Sequence, residues 1–390
     1  MNKKRLIVYA AIILAFALAC TAHILPNVRV FAYSYDAAEI GTATLADAGD
    51  TVFIRTAVFT AGEDEIIATG FTVGSAAAGE DPAADVDLSV LTPITKENPL
   101  TGTLDKDICF CDGAGAAADV YLGTLKLAEG RRIYTKGGDI NLLGGSLETP
   151  AIQTAGTILI GSADVTVNGD LTGFLGVNVY ASEEDFGAGA NKPGTLTVKG
   201  DLTNGERFDG EYAVSVNSGS TLNVTGNIST VYGVDLWSPG GDVGKSQLTV
   251  GGDVVVTGDG MKSVSLMNAS AEIGGGISAA KWVHVYKNSY LAAESVRAYL
   301  LAATSDSTFD IAGDVTVENM LDLNCASGAL TNSVGGNLKC GIFSAAGKST
   351  DAPMTVSVAG DVECDGFFSL NCVLDFNGAL KQNSSPFRFE

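Results

Sequence analysis

Histidine is almost missing from this sequence: two in 390 residues, of which only His284 lies beyond residue 32. Ser-His-Asp hydrolysis and histidine-ligated metal hydrolysis therefore have almost no material to work with, and no metal centre is expected from a ligand motif. Basic residues are also scarce, with 23 Lys and Arg against 45 Asp and Glu and a formal net charge of −22. Nucleic-acid binding rests on neutralising phosphates, so this balance argues against a nucleic-acid partner. It gives no attraction to anionic lipid either. After Leu6–Ala19 no second long apolar run occurs, so no membrane insertion is expected once the N-terminus has been removed. Charged residues make up 17% of the chain and apolar ones 46%, which excludes disorder.

The N-terminus has the layout of an export signal. Lys3, Lys4 and Arg5 precede the apolar run, Pro26 ends it, and Val30-Phe31-Ala32 supplies small residues where signal peptidase reads them. Residues 1–32 are expected to be a signal peptide cleaved after Ala32. The alternatives are lipidation at Cys20, where Leu18 stands one place later than a lipobox prefers, and an uncleaved anchor. All three put the protein at the cell surface or outside the cell. The part after residue 32 holds 19 Lys and Arg against 45 Asp and Glu, a formal charge of −26. Such a chain is expected to be soluble and could collect divalent cations, calcium among them, though no cofactor is implied. Its six cysteines do not establish a disulfide framework. Cys109 and Cys111 are too close along one strand for an easy bridge.

What the sequence has in abundance is glycine, 48 residues of it, and much of that glycine is periodic. VTVNGDL, LTVKGDL, LNVTGNI, LTVGGDV, AEIGGGI, FDIAGDV, NSVGGNL, VSVAGDV and LDFNGAL end at residues 171, 202, 228, 254, 277, 315, 338, 362 and 380. Successive anchors stand 18 to 31 residues apart, with Glu294 filling the one gap. Within a motif apolar residues alternate, as on a strand with one buried face: Leu222, Val224 and Ile228 one way, Asn223 and Thr225 the other. A second alternating run follows, such as Val214-Ser215-Val216 or Val283-His284-Val285. Each coil thus has at least two short strands. One unit cannot bury its own apolar side, but stacked units share a continuous core. The expected fold is all-β, a right-handed parallel β-helix of about ten or more coils over 116–390. Residues 33–115, where no anchor is recognisable, form either its N-terminal β cap or a small β domain.

The anchor pairs are Gly169-Asp170, Gly200-Asp201, Gly226-Asn227, Gly252-Asp253, Gly313-Asp314, Gly336-Asn337 and Gly360-Asp361. Glycine is expected there to allow positive φ where the strand bends, with the next Asp or Asn bonding backbone N–H groups in its own turn. A calcium ladder is the rival reading, but the GGxGxDxUx spacing of calcium-binding β-rolls is absent. Cys340 and Cys364 fall four residues after their anchors and should stack as neighbours in the core, either bridged by a disulfide or as a ladder of buried free thiols.

TLTVKGDLTNG, TLNVTGNIST and LTVGGDVVVTG resemble repeats of filamentous-haemagglutinin-like adhesins and other surface β-helix proteins, over roughly Val165 to Leu380. The resemblance implies a right-handed β-helix used for attachment or as a stalk, with a glycan or surface-protein ligand.

Two kinds of candidate site stand out against the repeat. The insertion Ala181–Pro193 carries Glu183, Glu184 and Asp185, and Trp237–Ser246 carries Asp242. Both follow the second strand of their coil, so they should project from one edge two rungs apart, about 10 Å. A carboxylate pair across such a notch suits calcium or glycan binding, or glycoside hydrolysis. The other candidate is the stripe Trp282, His284, Tyr286, which alternation turns outward if Val283 and Val285 face the core. Exposed aromatics at strand spacing, with Trp237, can stack on sugar rings or mark a protein contact. The expected function is that of a secreted or surface-attached structural and adhesive protein, without an assigned catalytic residue. The alternatives are a polysaccharide lyase or glycoside hydrolase on the same fold, and a scaffold that self-associates through its solenoid ends.

Overall fold

The computed structural model describes residues 32–34, 43–44, 51–61, 64–74, 91–383 and 388–389, apart from 111–117, 136–138, 155, 173, 182–191, 204–211, 241–242, 259–262 and 327. These residues form an all-β structure without a helix, a parallel β-solenoid of about 11 turns. The signal sequence expected at the N-terminus lies outside the described residues up to Phe31.

Each coil has three faces. In one coil the first face is Asp164–Val167, the second Leu171–Thr172 and the third Gly176–Tyr180, after which Thr195–Val198 starts the next coil. Within the coils, strands pair in parallel with their counterparts one coil on. Val165 stands opposite Leu196, Leu196 opposite Leu222, and Leu222 opposite Leu248. The sequence marks the first and third faces by alternation. The second face it does not mark, because two residues are too few to alternate.

The core is a stack of inward Val, Leu and Ile columns, for example Leu171, Leu202 and Ile228, each with no exposed surface. Each such side chain contributes about 1.5–3 kcal/mol by burial, so the repeat distributes stability along the axis. From Ser295 onward the second and third faces fuse into long strands: Ser295–Thr304, Val315–Asn324, Leu338–Ala346 and Val362–Leu370. Register shifts between Ala298 and Leu300, and between Val317 and Met320, keep both inward columns aligned across the bend.

The winding reaches back into the segment without recognisable anchors. Leu100–Leu104 stacks on the first face, and Asp107–Phe110 stacks on Ile133–Thr135. Beyond it, Thr51–Ala61 and Asp64–Gly74 form an antiparallel hairpin whose Thr51–Ile54 continues the second face in parallel with Asp107–Phe110. Thr92–Ile94 adds a further antiparallel partner to Thr69–Phe71. The hairpin thus covers the second face's N-terminal edge, where the parallel ladder would otherwise present unpaired backbone. The opposite end differs. Its last first-face strand, Cys372–Phe376, leaves Leu374 and Phe376 half-buried, and Leu380 is 37% exposed.

Candidate functional site

The third face carries the aromatic stripe. On the strand Trp282–Tyr286, Val283 and Val285 are fully buried, and Trp282, His284 and Tyr286 are half-buried on the outer side. His284 and Tyr286 stack with ring centroids 4.4 Å apart and 18° between planes. His284 Nε2 lies 3.4 Å from Thr304 Oγ1 in the next coil.

Register brings a further aromatic to this stripe. Trp237 pairs with Met267 and Met267 with Tyr286, so the three form one outward column across three successive coils. Trp237 is 38% exposed, so part of its indole faces solvent. Beside that column runs Asp235, Ser265, His284, one residue per coil. Ser265 alternates outward between Val264 and Leu266, yet it is fully buried and its Oγ has no hydrogen-bond partner. Its neighbour Ser263 differs, because Ser263 Oγ accepts from the Lys281 backbone N–H at 3.0 Å. Glu183, Glu184, Asp185 and Asp242, the candidates on the two insertions, lie outside the described residues.

The corner that ends the third face holds these aromatics in place, and this feature has no sequence counterpart in the glycine repeat. Ser246 Oγ donates to the Trp237 carbonyl at 2.9 Å and accepts from the Gly219 N–H at 3.2 Å. Ser289 Oγ donates to the Tyr286 carbonyl at 2.7 Å and accepts from the Ala269 N–H at 3.1 Å. Ser307 Oγ accepts from the Ser289 N–H, and Ser220 Oγ from the Gly194 N–H. All four serines are buried and form a column with Ala163, Gly194 and Ala269. A serine before each first-face strand is the only signal, and those other occupants interrupt it.

At the Gly-Asp corner the expected chemistry requires correction. None of the anchor glycines has positive φ. Most are needed for space: a Cβ on Gly226 would stand 2.2 Å from Asp201 Oδ1 and 2.8 Å from the Gly200 carbonyl oxygen. Gly200, Gly252, Gly275, Gly336 and Gly360 are crowded in the same way by the Asp or Asn of the preceding coil. That side chain bonds the next coil rather than its own turn. Asp170 Oδ1 accepts from the Asp201 N–H at 2.8 Å, Asp201 Oδ1 from Asn227 at 2.7 Å, and Asn227 Oδ1 from Asp253 at 2.8 Å. Asp314, Asn337 and Asp361 repeat the pattern toward the C-terminus. Alternating Asp with Asn also lets Asn227 Nδ2 donate to Asp201, which separates like charges. Among the described residues no three of His, Cys, Asp and Glu converge as a metal-binding group.

A shallow groove of 420 Å³ lies on the first face, lined by Thr124, Lys126, Glu148, Thr166, Thr197 and Lys199. Lys126 pairs with Glu148 at 2.9 Å, and together with the Asn168 amide this holds the Glu148 carboxyl below its ordinary range. Both charges are well exposed, so the pair contributes little. Cys340 and Cys364 are register partners in the core and both are free thiols. Burial, then the neighbouring Cys364, pushes the Cys340 thiol up to about 12, which leaves it unreactive as a nucleophile.

The site therefore belongs to a parallel β-solenoid with an aromatic outer face. Compared with family models, with curated proteins and with solved structures, the chain matches none.

Proposed function

We propose that this is an exported, surface-attached or secreted adhesive protein, similar in use to the haemagglutinin-like adhesins, which binds glycans on its third face without turning them over. One observation carries this reading: Trp237, distant in sequence, shares a single outward face with Trp282, His284 and Tyr286 of one later strand. Aromatic faces stack on the apolar faces of sugar rings, while nearby Asp, Ser and His supply hydrogen bonds to hydroxyls. The basic, apolar N-terminus supports export, and the surplus of carboxylates disfavours nucleic acid and anionic lipid as partners.

A glycan array read together with product analysis, with and without calcium, tests this reading. Binding without products, lost in Trp237→Ala or Trp282→Ala, is the expected result. Released oligosaccharides would sink it in favour of a carbohydrate-active enzyme. A second reading, self-association through the C-terminal end, draws support from the half-buried Leu374 and Phe376 and the exposed Leu380. Light scattering on Leu374→Asp and the unmodified protein decides that question.

A further inference from the structure

We infer that the ligand of this face is a neutral, extended polysaccharide chain lying along the solenoid axis, seated on Trp237, Met267 and Tyr286. The inference rests on the glycan-binding reading and specifies its ligand and direction. Two directions are open to a chain on this face. Along the strand it would cross Trp282, His284 and Tyr286, whose backbone positions are about 7 Å apart. Along the axis it would cross Trp237, Met267 and Tyr286, one residue per coil, with coils about 4.8 Å apart.

Three observations favour the axis. A coil rises by about the length of one pyranose in an extended β-linked chain, so Trp237 and Tyr286, two coils apart, meet every second ring on the same side. Met267 between them is unbranched and polarizable, and adapts to the intervening ring. The strand direction lacks this regularity, because His284 and Tyr286 are already stacked on each other. The second observation is the parallel column Asp235, Ser265, His284, which places one polar side chain per coil beside the aromatic one. Ser265 is the informative member: a fully buried, outward-alternating hydroxyl with no partner. Such a group is costly to leave unmade, and its neighbours Met267 on the same strand and His284 in the next coil are only half-buried. Charge is the third. Asp235 in this floor and the net charge of −22 oppose polyuronates and sulfated chains. The Lys245 ammonium is already bonded to the Asn288 carbonyl, and that of Lys281 lies over the Tyr299 ring.

Calorimetry on the full chain with β-1,4-linked gluco- and N-acetylglucosamine oligosaccharides of one to six units tests the proposal, with oligouronates of equal length as the charged arm. Affinity should rise at least tenfold from the disaccharide to the tetrasaccharide and then level off. Trp237→Ala should lose more than Trp282→Ala, and Ser265→Ala should weaken binding about three- to tenfold, the worth of one hydrogen bond. Each variant's melting temperature shows that it has folded. Trp282→Ala losing more than Trp237→Ala, tighter binding of oligouronates, or wild-type affinity in Ser265→Ala would overturn the proposal while leaving glycan binding intact. No binding of any glycan, charged or neutral, would instead overturn the adhesive reading on which it rests.

Discussion

The solenoid turns two of its corners by opposite means. At the Gly-Asp corner the backbone stays out of the left-handed region, and side-chain acceptors reach forward: Asp201 Oδ1 takes the N–H of Asn227 in the next coil. At the corner between the third and first faces the backbone enters that region, at Ser162, Ser218, Asn268, Lys287, Asn288, Ser305, Asp306 and Asn371. There the acceptors reach backward, as Ser289 Oγ takes the N–H of Ala269 in the preceding coil. The first corner is exposed and crowded, while the second is bent and backed by buried serines. One corner selects residues by volume, and the other selects them by conformation and by hydrogen bonding. A glycine in the repeat therefore does not mean what a glycine in a turn usually means.

The sharpest way to break this comparison is to add a single methyl group at the crowded corner. Gly226→Ala forces a Cβ to 2.2 Å from Asp201 Oδ1 and 2.8 Å from the Gly200 carbonyl. We expect a loss of about 3 kcal/mol, at the upper end of overpacking, measured by urea denaturation. The clash with Asp201 is a side-chain clash and the one with Gly200 is not. Adding Asp201→Ala should therefore recover part of the loss, and strict additivity of the two changes would show that the carboxylate is not the obstacle. A Gly226→Ala protein as stable as the original would return the glycine to a conformational role.

Next in size is the buried corner. Ser289→Ala leaves the Ala269 N–H without its acceptor and removes the donor to the Tyr286 carbonyl, in a residue only 3% exposed. An unpaired buried backbone group costs about 1–3 kcal/mol, so a loss near 2 kcal/mol is expected. Asp201→Ala should cost less, about 0.5–1 kcal/mol, although it removes an ionised acceptor. Its partner N–H lies in an exposed turn, where water replaces the carboxylate. If Asp201→Ala proves the more damaging change, the contrast between the corners fails.

How much of this was legible in the sequence follows from the same contrast. The recurrence of Gly-Asp was legible because the same crowding by the preceding Asp or Asn recurs in most coils, so selection by volume leaves a repeated pattern. Its cause was not, since a glycine kept for space and one kept for φ read alike. The serine column was hidden because Ser220, Ser246, Ser289 and Ser307 alternate with Gly194 and Ala269, which meet the same need for small size without the hydroxyl. On the site, Val283 and Val285 were enough to turn Trp282, His284 and Tyr286 outward. The joining of Trp237 to Tyr286 was not readable. It depends on register across coils whose lengths vary with insertions at the corners, and only the stacked fold reveals that.

The smallest expected effect tests the conformational corner in isolation. Asn268 holds φ at 51°, where a side chain with a Cβ is disfavoured by about 1–2 kcal/mol and Asn less than most. Asn268→Gly relieves that strain but adds freedom to the unfolded chain, a penalty of up to about 1 kcal/mol. The two nearly cancel, so thermal unfolding should move by no more than about 0.5 kcal/mol in either direction. Asn268→Val, by contrast, places a β-branched side chain in the same region and should cost about 2 kcal/mol. The pair therefore isolates conformation from volume: glycine is tolerated here because φ decides, whereas at Gly226 a residue even one methyl larger is not, because space decides.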